Sequence, residues 1–421
     1  MPVSIQQIIF LIQSLWHISI VYASYLWGTS RYACVENLTT RLSTVNVFYV
    51  KLFQMLSTNA FIFTDREIAL LARFTEEVPY DTRDIDQSFR KTLSEVEQRS
   101  PEMAVELVNQ ALPIKSGTMS LVYEGRMGPR RVIIKVRRCG ANAALREAFT
   151  NFDMLLRVLT WLSSVRNLNL HEILAENRES LLGQTDFARE IRDAQRMRHN
   201  FRNVDYVTIP TVYPEFTAAN PAMIVMDYID GNTIDEIAST DKDEYALLFA
   251  RYVSKCLFFD RFFHADLHPG NIRFMMHGEE KGLGIMDFGI MGEMTPEEQN
   301  AAYNANRLIA EERWAELAQL AVEFYVEPKT TVDGMGDKEL SALKRDIATT
   351  LSQPEWSNMG PNGLFAFSRC LHPYGLAINK SFSRMELAVC VSASIHLSLG
   401  NKTDFKTTME EASCKNPIWE I

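Results

Sequence analysis

Hydrophobic and polar positions change period several times along the chain, and each change marks a part of it. Residues 1–30 contain no Asp, Glu, Lys or Arg, and Ile8 to Trp27 is mostly apolar, interrupted by Gln13, Ser14, His17, Ser19 and Ser24. That length suits a membrane span. The interruptions suit a helix packed on the protein body or lying in a membrane interface, and the readings stand side by side. The segment has no basic n-region, no small-residue cleavage site and no Arg, which argues against a signal or transit peptide. Residues 31–100 read as helical. From Pro113 the period shortens to that of strands, over Ser116–Tyr123 and over Arg131–Val136 behind the turn Met127-Gly128-Pro129. Ala141 to Ser164 places Leu145, Phe149, Phe152, Leu155, Leu156 and Leu159 at helical spacing, which predicts one amphipathic helix. Thr211–Phe216 and Ala222–Met226 read as strands, Asp243–Phe263 as one long helix, and Ile272–Met276 and Gly284–Met286 as short strands around a Gly-containing turn. Thr295-Pro296-Glu297-Glu298 is a helix start, with an N-cap Thr, a proline at N1 and acids in the first turn. The remainder, to about residue 412, reads as helices with polar loops such as Ser352–Gly363.

Composition adds limits. A 421-residue chain that is 47% apolar and 23% charged has the means to bury a sizeable core. Its net charge of −10 argues against nucleic-acid binding, which calls for a basic face. Six cysteines without a C-x-x-C pattern fit reduced thiols inside a cell better than a disulfide framework or a zinc site.

The chemistry concentrates in His264-Ala265-Asp266-Leu267-His268-Pro269-Gly270-Asn271, followed by Met286-Asp287-Phe288-Gly289. These read H-x-D-x-x-x-x-N and D-F-G, two elements of the protein-kinase signature. Moving a phosphoryl group needs a carboxylate near the acceptor, an amide oxygen on metal, and a second carboxylate bridging metal and phosphates. Asp266, Asn271 and Asp287 are those residue types in that order, and the hairpin between them would fold Asp287 back beside Asn271. Upstream, Lys135 closes its β-branched strand as in V-A-I-K, whose Lys pairs the α/β-phosphates and a helix Glu. Gly117, Thr118, Met119 and Ser120 lie at a β-turn-β that is a candidate phosphate-covering loop, and taken alone the stretch reads better as an ordinary hairpin. His264 and His268 have no third ligand at zinc spacing.

The loop His264–Asn271 resembles the H-A-D-P-H-P-G-N loop of the UbiB/ADCK (aarF-domain) atypical kinases, with Leu267 replacing a proline. The resemblance can be followed from about Phe48 to about Gly292. Phe48–Ser57 resembles the family's K-x-G-Q segment, with Lys51 and Gln54 matching and Phe53 where the family has Gly; Glu76-Glu77-Val78-Pro79 resembles the acidic-Val-Pro step after it. Leu181–Glu190 is similar to the E-x-D-F/Y-x-x-E helix, which makes Glu190 the partner of Lys135, with Asp186 one turn earlier and Gln184 replacing the first acid. Met226-Asp227-Tyr228-Ile229-Asp230-Gly231 looks like the M-E-F-x-D-G hinge.

That resemblance implies an α+β, two-lobed protein-kinase-like fold with a small β-lobe, a larger helical lobe and a helical N-terminal extension. Its parts would be the apolar segment 1–30, the extension 31–110, the β-lobe 111–229, the helical lobe 230–412 and a tail 413–421. It implies ATP and Mg²⁺ in the cleft. Lys135, oriented by Glu190, would hold the α/β-phosphates under Gly117–Ser120, and backbone groups at Asp227 and Ile229 would receive adenine. Lys51 and Gln54 would enter the nucleotide site from the helix above it, Asn271 and Asp287 would ligate metal, and Asp266 would orient the acceptor or accept its proton. His264 would hold the loop together. Three function classes follow: a small-molecule or lipid kinase or ATPase in isoprenoid-quinone (ubiquinone) metabolism, a protein kinase, and a nucleotide-binding regulator. The partners are ATP/ADP, a small-molecule, lipid or protein acceptor, and a membrane surface if residues 1–30 lie on one.

Overall fold

In the computed structural model the backbone divides into two units, Met1–Ile191 with Val212–Tyr228, and Arg192–Thr211 with Ile229–Ile421. The structure describes residues 4–46, 80–108, 112–159, 185–278, 280–353 and 361–400, with isolated positions between 48 and 71 and at 178, 182 and 183.

The first unit opens with α1 (Ile5–Leu26), whose start is fixed by a reciprocal cap: the Ser4 hydroxyl accepts from the Gln7 N–H, and the Gln7 side chain accepts from the Ser4 N–H. The helix α2 (Arg31–Val45) begins on Ser30, and α3 (Ser88–Arg99) precedes the sheet. The sheet contains β1 (Glu106–Leu107), β2 (Lys115–Ser116), β3 (Ser120–Met127), β4 (Arg130–Arg137) and β6 (Met223–Asp227), in the order β1-β3-β4-β6 with β2 also on β3. All its pairings are antiparallel, and the β3/β4 register sets Val122 opposite Lys135. Strand alternation does the sorting. Val132, Ile134 and Val136 are buried with Phe89, Leu93 and Val96 of α3 and with Phe216 and Val225, whereas Lys135 and Arg137 turn to the opposite face.

A second core forms around α4 (Ala141–Leu159). Its stripe Leu145, Phe149, Phe152, Leu155 and Leu156 packs with Phe10 of α1, Leu42 of α2, and Phe48, Tyr49, Leu52 and Phe53. Phe48 meets the edge of Phe149 at 5.0 Å, and Phe10 stacks on Tyr49 at 5.7 Å. Burying each such ring stabilises by roughly 1.5–3 kcal/mol. The Tyr49 hydroxyl also donates to Ser14 at 2.7 Å, so α1 is tied to these residues by a polar bond as well. Yet α1 buries only Phe10, Ser14 and Val21; Ile5, Ile9, Ile12, Trp16, Leu26 and Trp27 are exposed. One face is seated and the other is apolar and open.

The expected strand at Thr211–Phe216 is not formed. Val212 makes a single bridge to Met226, and Pro214 opens the short helix α6 (Pro214–Ala219). A proline at N1 brings its φ already set for a helix. The helix α5 (Phe187–Asn200) starts in the first unit and crosses its boundary at Ile191.

In the second unit, β5 (Val207–Thr208) runs parallel to β9 (Glu280–Ile285), which pairs with β8 (Ile272–His277) in a hairpin. The expected helix 243–263 is cut short. The helix α7 (Lys242–Lys255) passes into a π turn (Cys256–Asp260), closed by the Arg261 N–H on the Cys256 carbonyl. Arg261 is left-handed at φ 53°, and β7 (Phe262–His264) follows, paired with β10 (Met291–Glu293). Lys255 bonds Asp260 at 2.7 and 2.8 Å within this turn. Gly292 lies against Phe263, where a Cβ would enter the ring. The helix α8 (Pro296–Ala310) begins with the expected Thr295 cap and a reciprocal Glu298 bond. It leads to α9 (Trp314–Phe324), β11 (Val326–Glu327), α10 (Lys329–Asp333), α11 (Asp337–Leu351), α12 (Pro361–Leu371), β12 (Ala377–Ile378) and α13 (Lys380–Ser398).

Candidate functional site

In the first unit, Lys135 Nζ donates to both carboxylate oxygens of Glu190, at 2.8 and 3.1 Å. The two side chains are 14% and 3% exposed, so this is a nearly desolvated ion pair. Two local devices put Glu190 there. Asp186 caps α5, its carboxylate accepting from the Arg189 N–H at 3.0 Å. Arg137, on the same strand face as Lys135, donates to the Thr185 carbonyl at 2.7 Å and holds the approach to the helix against β4. Asp186 thus serves the helix end and not the pair itself.

The turn Gly117–Ser120 is closed by the Gly117 N–H on the Ser120 carbonyl at 2.9 Å, with Thr118, Met119 and Ser120 buried. Asp227 ends β6, and its carboxylate accepts from the Tyr213 hydroxyl at 2.7 Å; Arg130 donates to that hydroxyl at 3.2 Å. The Tyr228 N–H is taken by the Arg131 carbonyl, while the Arg131 guanidinium lies over the Tyr228 ring at 3.8 Å. Phe53 is buried, tilted on Tyr49 at 6.4 Å, so its ring occupies core. Lys51, Gln54, Gln184 and Glu76–Pro79 lie outside the described residues.

In the second unit the two signature loops are stitched together by His264. Its Nδ1 accepts from the Asp266 N–H at 3.1 Å, so Nε2 carries the proton and donates to the carbonyls of Met286 (3.3 Å) and Asp287. Burial holds the imidazole pKa below its ordinary value, and the nearby Asp266 and Asp287 carboxylates only partly offset this. Asn271 donates from Nδ2 to the Asp266 carbonyl at 3.1 Å, which turns Oδ1 away from that carbonyl. The Met286 N–H donates to the Asn271 carbonyl at 2.9 Å and the Ala265 N–H to that of Ile290 at 3.0 Å, so Asp287 is brought back to the loop. Asp287 is left-handed at φ 59°, a conformation costing about 1–2 kcal/mol and least uncommon for Asp and Asn. Its carboxylate accepts from the Gly289 N–H at 3.2 Å. His268 caps the single turn Pro269–Asn271, accepting from the Gly270 N–H at 3.1 Å. Ile229 is buried in this unit.

Among the described residues, no group of three or more His, Cys, Asp and Glu gathers as a metal cage. One carboxylate and one amide are the kind of protein donor set that suits Mg²⁺, which completes its octahedron with water and substrate phosphate. Asn271 and Asp287 fit that requirement. Arg137, Tyr213 and Arg130 escaped sequence reasoning; of these only Arg137 left a trace, in its two-residue offset from Lys135.

Residues 79–321 match the family described as the ABC1 atypical kinase-like domain. Proteins named Probable protein kinase UbiB are similar: that of Shewanella sp. (strain MR-7) is 29% identical over 325 residues, 73% of this chain and 57% of its own. That of Shewanella baltica (strain OS155) is 28% identical over the same shares. The chain thus spans 57% of the length of these curated relatives. The solved structure of the Rv3197–erythromycin complex from Mycobacterium tuberculosis aligns with a TM-score of 0.47 at 17% identity, covering 80% of this chain and 88% of that one.

Two outcomes follow from this geometry. Removing one member of a desolvated ion pair leaves the other charge buried, so Glu190→Gln should cost about 3 kcal/mol of stability. Lys135→Met with Glu190→Gln should cost less than the sum of the single losses in denaturant titrations; simple additivity would separate the two residues. For His264, the folded pKa lies below the unfolded value of about 6.5, so the unfolded state binds the proton first. Its contribution is complete above that value and is lost as pH falls below it. Stability measured from pH 8 to pH 5 should fall more steeply in the wild type than in His264→Gln. Parallel curves would place the titrating group elsewhere.

Proposed function

We propose that this chain, which belongs to the ABC1 atypical kinase-like family, binds ATP with Mg²⁺ and moves the terminal phosphoryl group to a small-molecule or lipid acceptor or to water, in support of isoprenoid-quinone metabolism. The observation that carries this reading is the Lys135–Glu190 pair, joined across 55 residues of sequence and nearly closed to water. A cation kept extended by a buried carboxylate is ready to meet the α/β-phosphates without reorganising. The turn Gly117–Ser120 would cover phosphate. Backbone groups of Asp227 and Ile229 would take adenine, and Lys51 and Gln54 would enter the same site. Asn271 and Asp287 would hold Mg²⁺, which when bound neutralises charge on the transferring phosphate. Asp266, its backbone fixed by His264 and Asn271, would orient the acceptor or accept its proton.

The open face of α1 favours an acceptor that dissolves in lipid. A 22-residue helix with no charge, seated on one side and apolar on the other, can lie in a membrane interface without unpacking from Tyr49.

Thermal shift with MgATP tests the central reading. Ligand at a hundred times its Kd stabilises by about 2.7 kcal/mol, so the wild type should shift upward and Asp287→Asn should lose most of the shift. Equal shifts in both, or none in either, would reject it. For the membrane, Ile12→Glu with Trp16→Glu charges only exposed positions. Wild-type protein should sediment with anionic liposomes, and the variant should stay in the supernatant with an unchanged melting temperature. A variant that still sediments, or a wild type that never does, would remove α1 as the anchor.

A further inference from the structure

The turn Gly117–Ser120 is packed on one side, where Met119 joins the core around α4, and open on another. A cavity of about 200 Å³ opens beside it, lined by Thr118 and Met119 together with Asn46, Phe48, Cys139 and Leu145. Arg138 and Asp84 also line it. Arg138, 6% exposed, follows β4 directly, and among the described residues its guanidinium donates to three acceptors. Nε reaches the Gly117 carbonyl at 2.9 Å, Nη2 the Ser116 hydroxyl at 2.7 Å, and Nη1 the Asp84 carboxylate at 2.9 Å. Its backbone N–H donates to the Met119 carbonyl at 3.0 Å. One residue therefore grips both ends of the turn.

Asp84 anchors the grip from the other side. It lies in a single 3₁₀ turn (Thr82–Asp84) capped by Asp81, and its carbonyl accepts from the Cys139 N–H at 2.9 Å while its carboxylate takes the guanidinium. Two consecutive residues, Arg138 and Cys139, are thus locked to it. Three acceptors in three directions require a planar fork of donors, which a lysine ammonium does not supply in fixed geometry.

We infer that Arg138, braced by Asp84, is a positioning residue that sets the conformation of the Gly117–Ser120 turn and thereby its fit to the phosphates of a nucleotide. The second half of this inference rests on the proposed nucleotide site; the first half does not. Arg138→Lys keeps the charge and removes the fork. Amide hydrogen exchange of residues 117–121 in the ligand-free protein should quicken about tenfold in this variant, with the β3–β4 hairpin beyond it unchanged. ATP should bind about tenfold more weakly while adenosine, which has no phosphate, binds as before. A role in general stability would weaken both ligands together, and that result, like unaltered exchange in the turn, overturns the inference. If the wild type binds neither ATP nor adenosine, the nucleotide reading fails by itself and the exchange measurement still decides whether Arg138 holds the turn. Should Arg138→Lys not fold, Asp84→Asn is measured the same way. It leaves the carbonyl bond to Cys139, so faster exchange confined to residues 117–121 supports the inference and unchanged exchange rejects it.

Discussion

A β-strand can give only every second residue to one core, and in the first unit that constraint decides what β4 is for. Val132, Ile134 and Val136 fill the core against α3, which obliges Lys135 and Arg137 to share the other face. The ion pair with Glu190 and the bond that steadies its helix are thus consequences of one alternation. Arg138, where the strand ends, is released from the pattern and reaches the turn Gly117–Ser120. Shifting the register of β4 by one residue would bury the lysine and expose the valines. Packing and chemistry are enforced by the same backbone.

The second unit meets a different demand. Its two signature loops lie at the two ends of the β8–β9 hairpin, where backbone bonds from Met286 to Asn271 and from Ala265 to Ile290 bring them together, and the positions of Asp266 and Asp287 must then be fixed against each other. A neutral imidazole does this because it can accept on one nitrogen and donate on the other. His264 accepts from the Asp266 backbone and donates to the Asp287 backbone, so a single ring fixes the separation of two carboxylate-bearing residues. The left-handed backbone at Asp287 persists because these neighbours over-determine it.

Much of this was legible in the sequence wherever chemistry requires particular residue types at short spacing. His264, Asp266, Asn271 and Asp287 carried their own pattern, and Lys135 was marked by the strand it closes. Helix α4 and the Thr295 cap followed from periodicity and capping rules. The strand expected at 211–216 failed because Tyr213 and Phe216 are apolar in either state and only Pro214 favours the helix. The continuous helix expected to 263 failed because nothing in Cys256–Asp260 breaks an α-helical pattern; its π turn is held by the Lys255–Asp260 bond, a contact invisible to periodicity. Arg138 could not be foreseen at all, since its partners stand 21 to 54 residues away.

That π turn governs more than the end of a helix. It contains one residue more per turn than the helix it continues, and β7 behind it is three residues long, with Phe263 facing Gly292 and His264 facing Met291. In so short a strand, the number of residues upstream decides which side chain occupies which place. With the spare residue taken out and α7 left in its core, the position now held by the His264 imidazole would receive Ala265. A methyl group can neither accept from one backbone amide nor donate to a carbonyl on the far loop. A count of residues in the bend just upstream of His264 thus decides whether the imidazole link between the two loops can form.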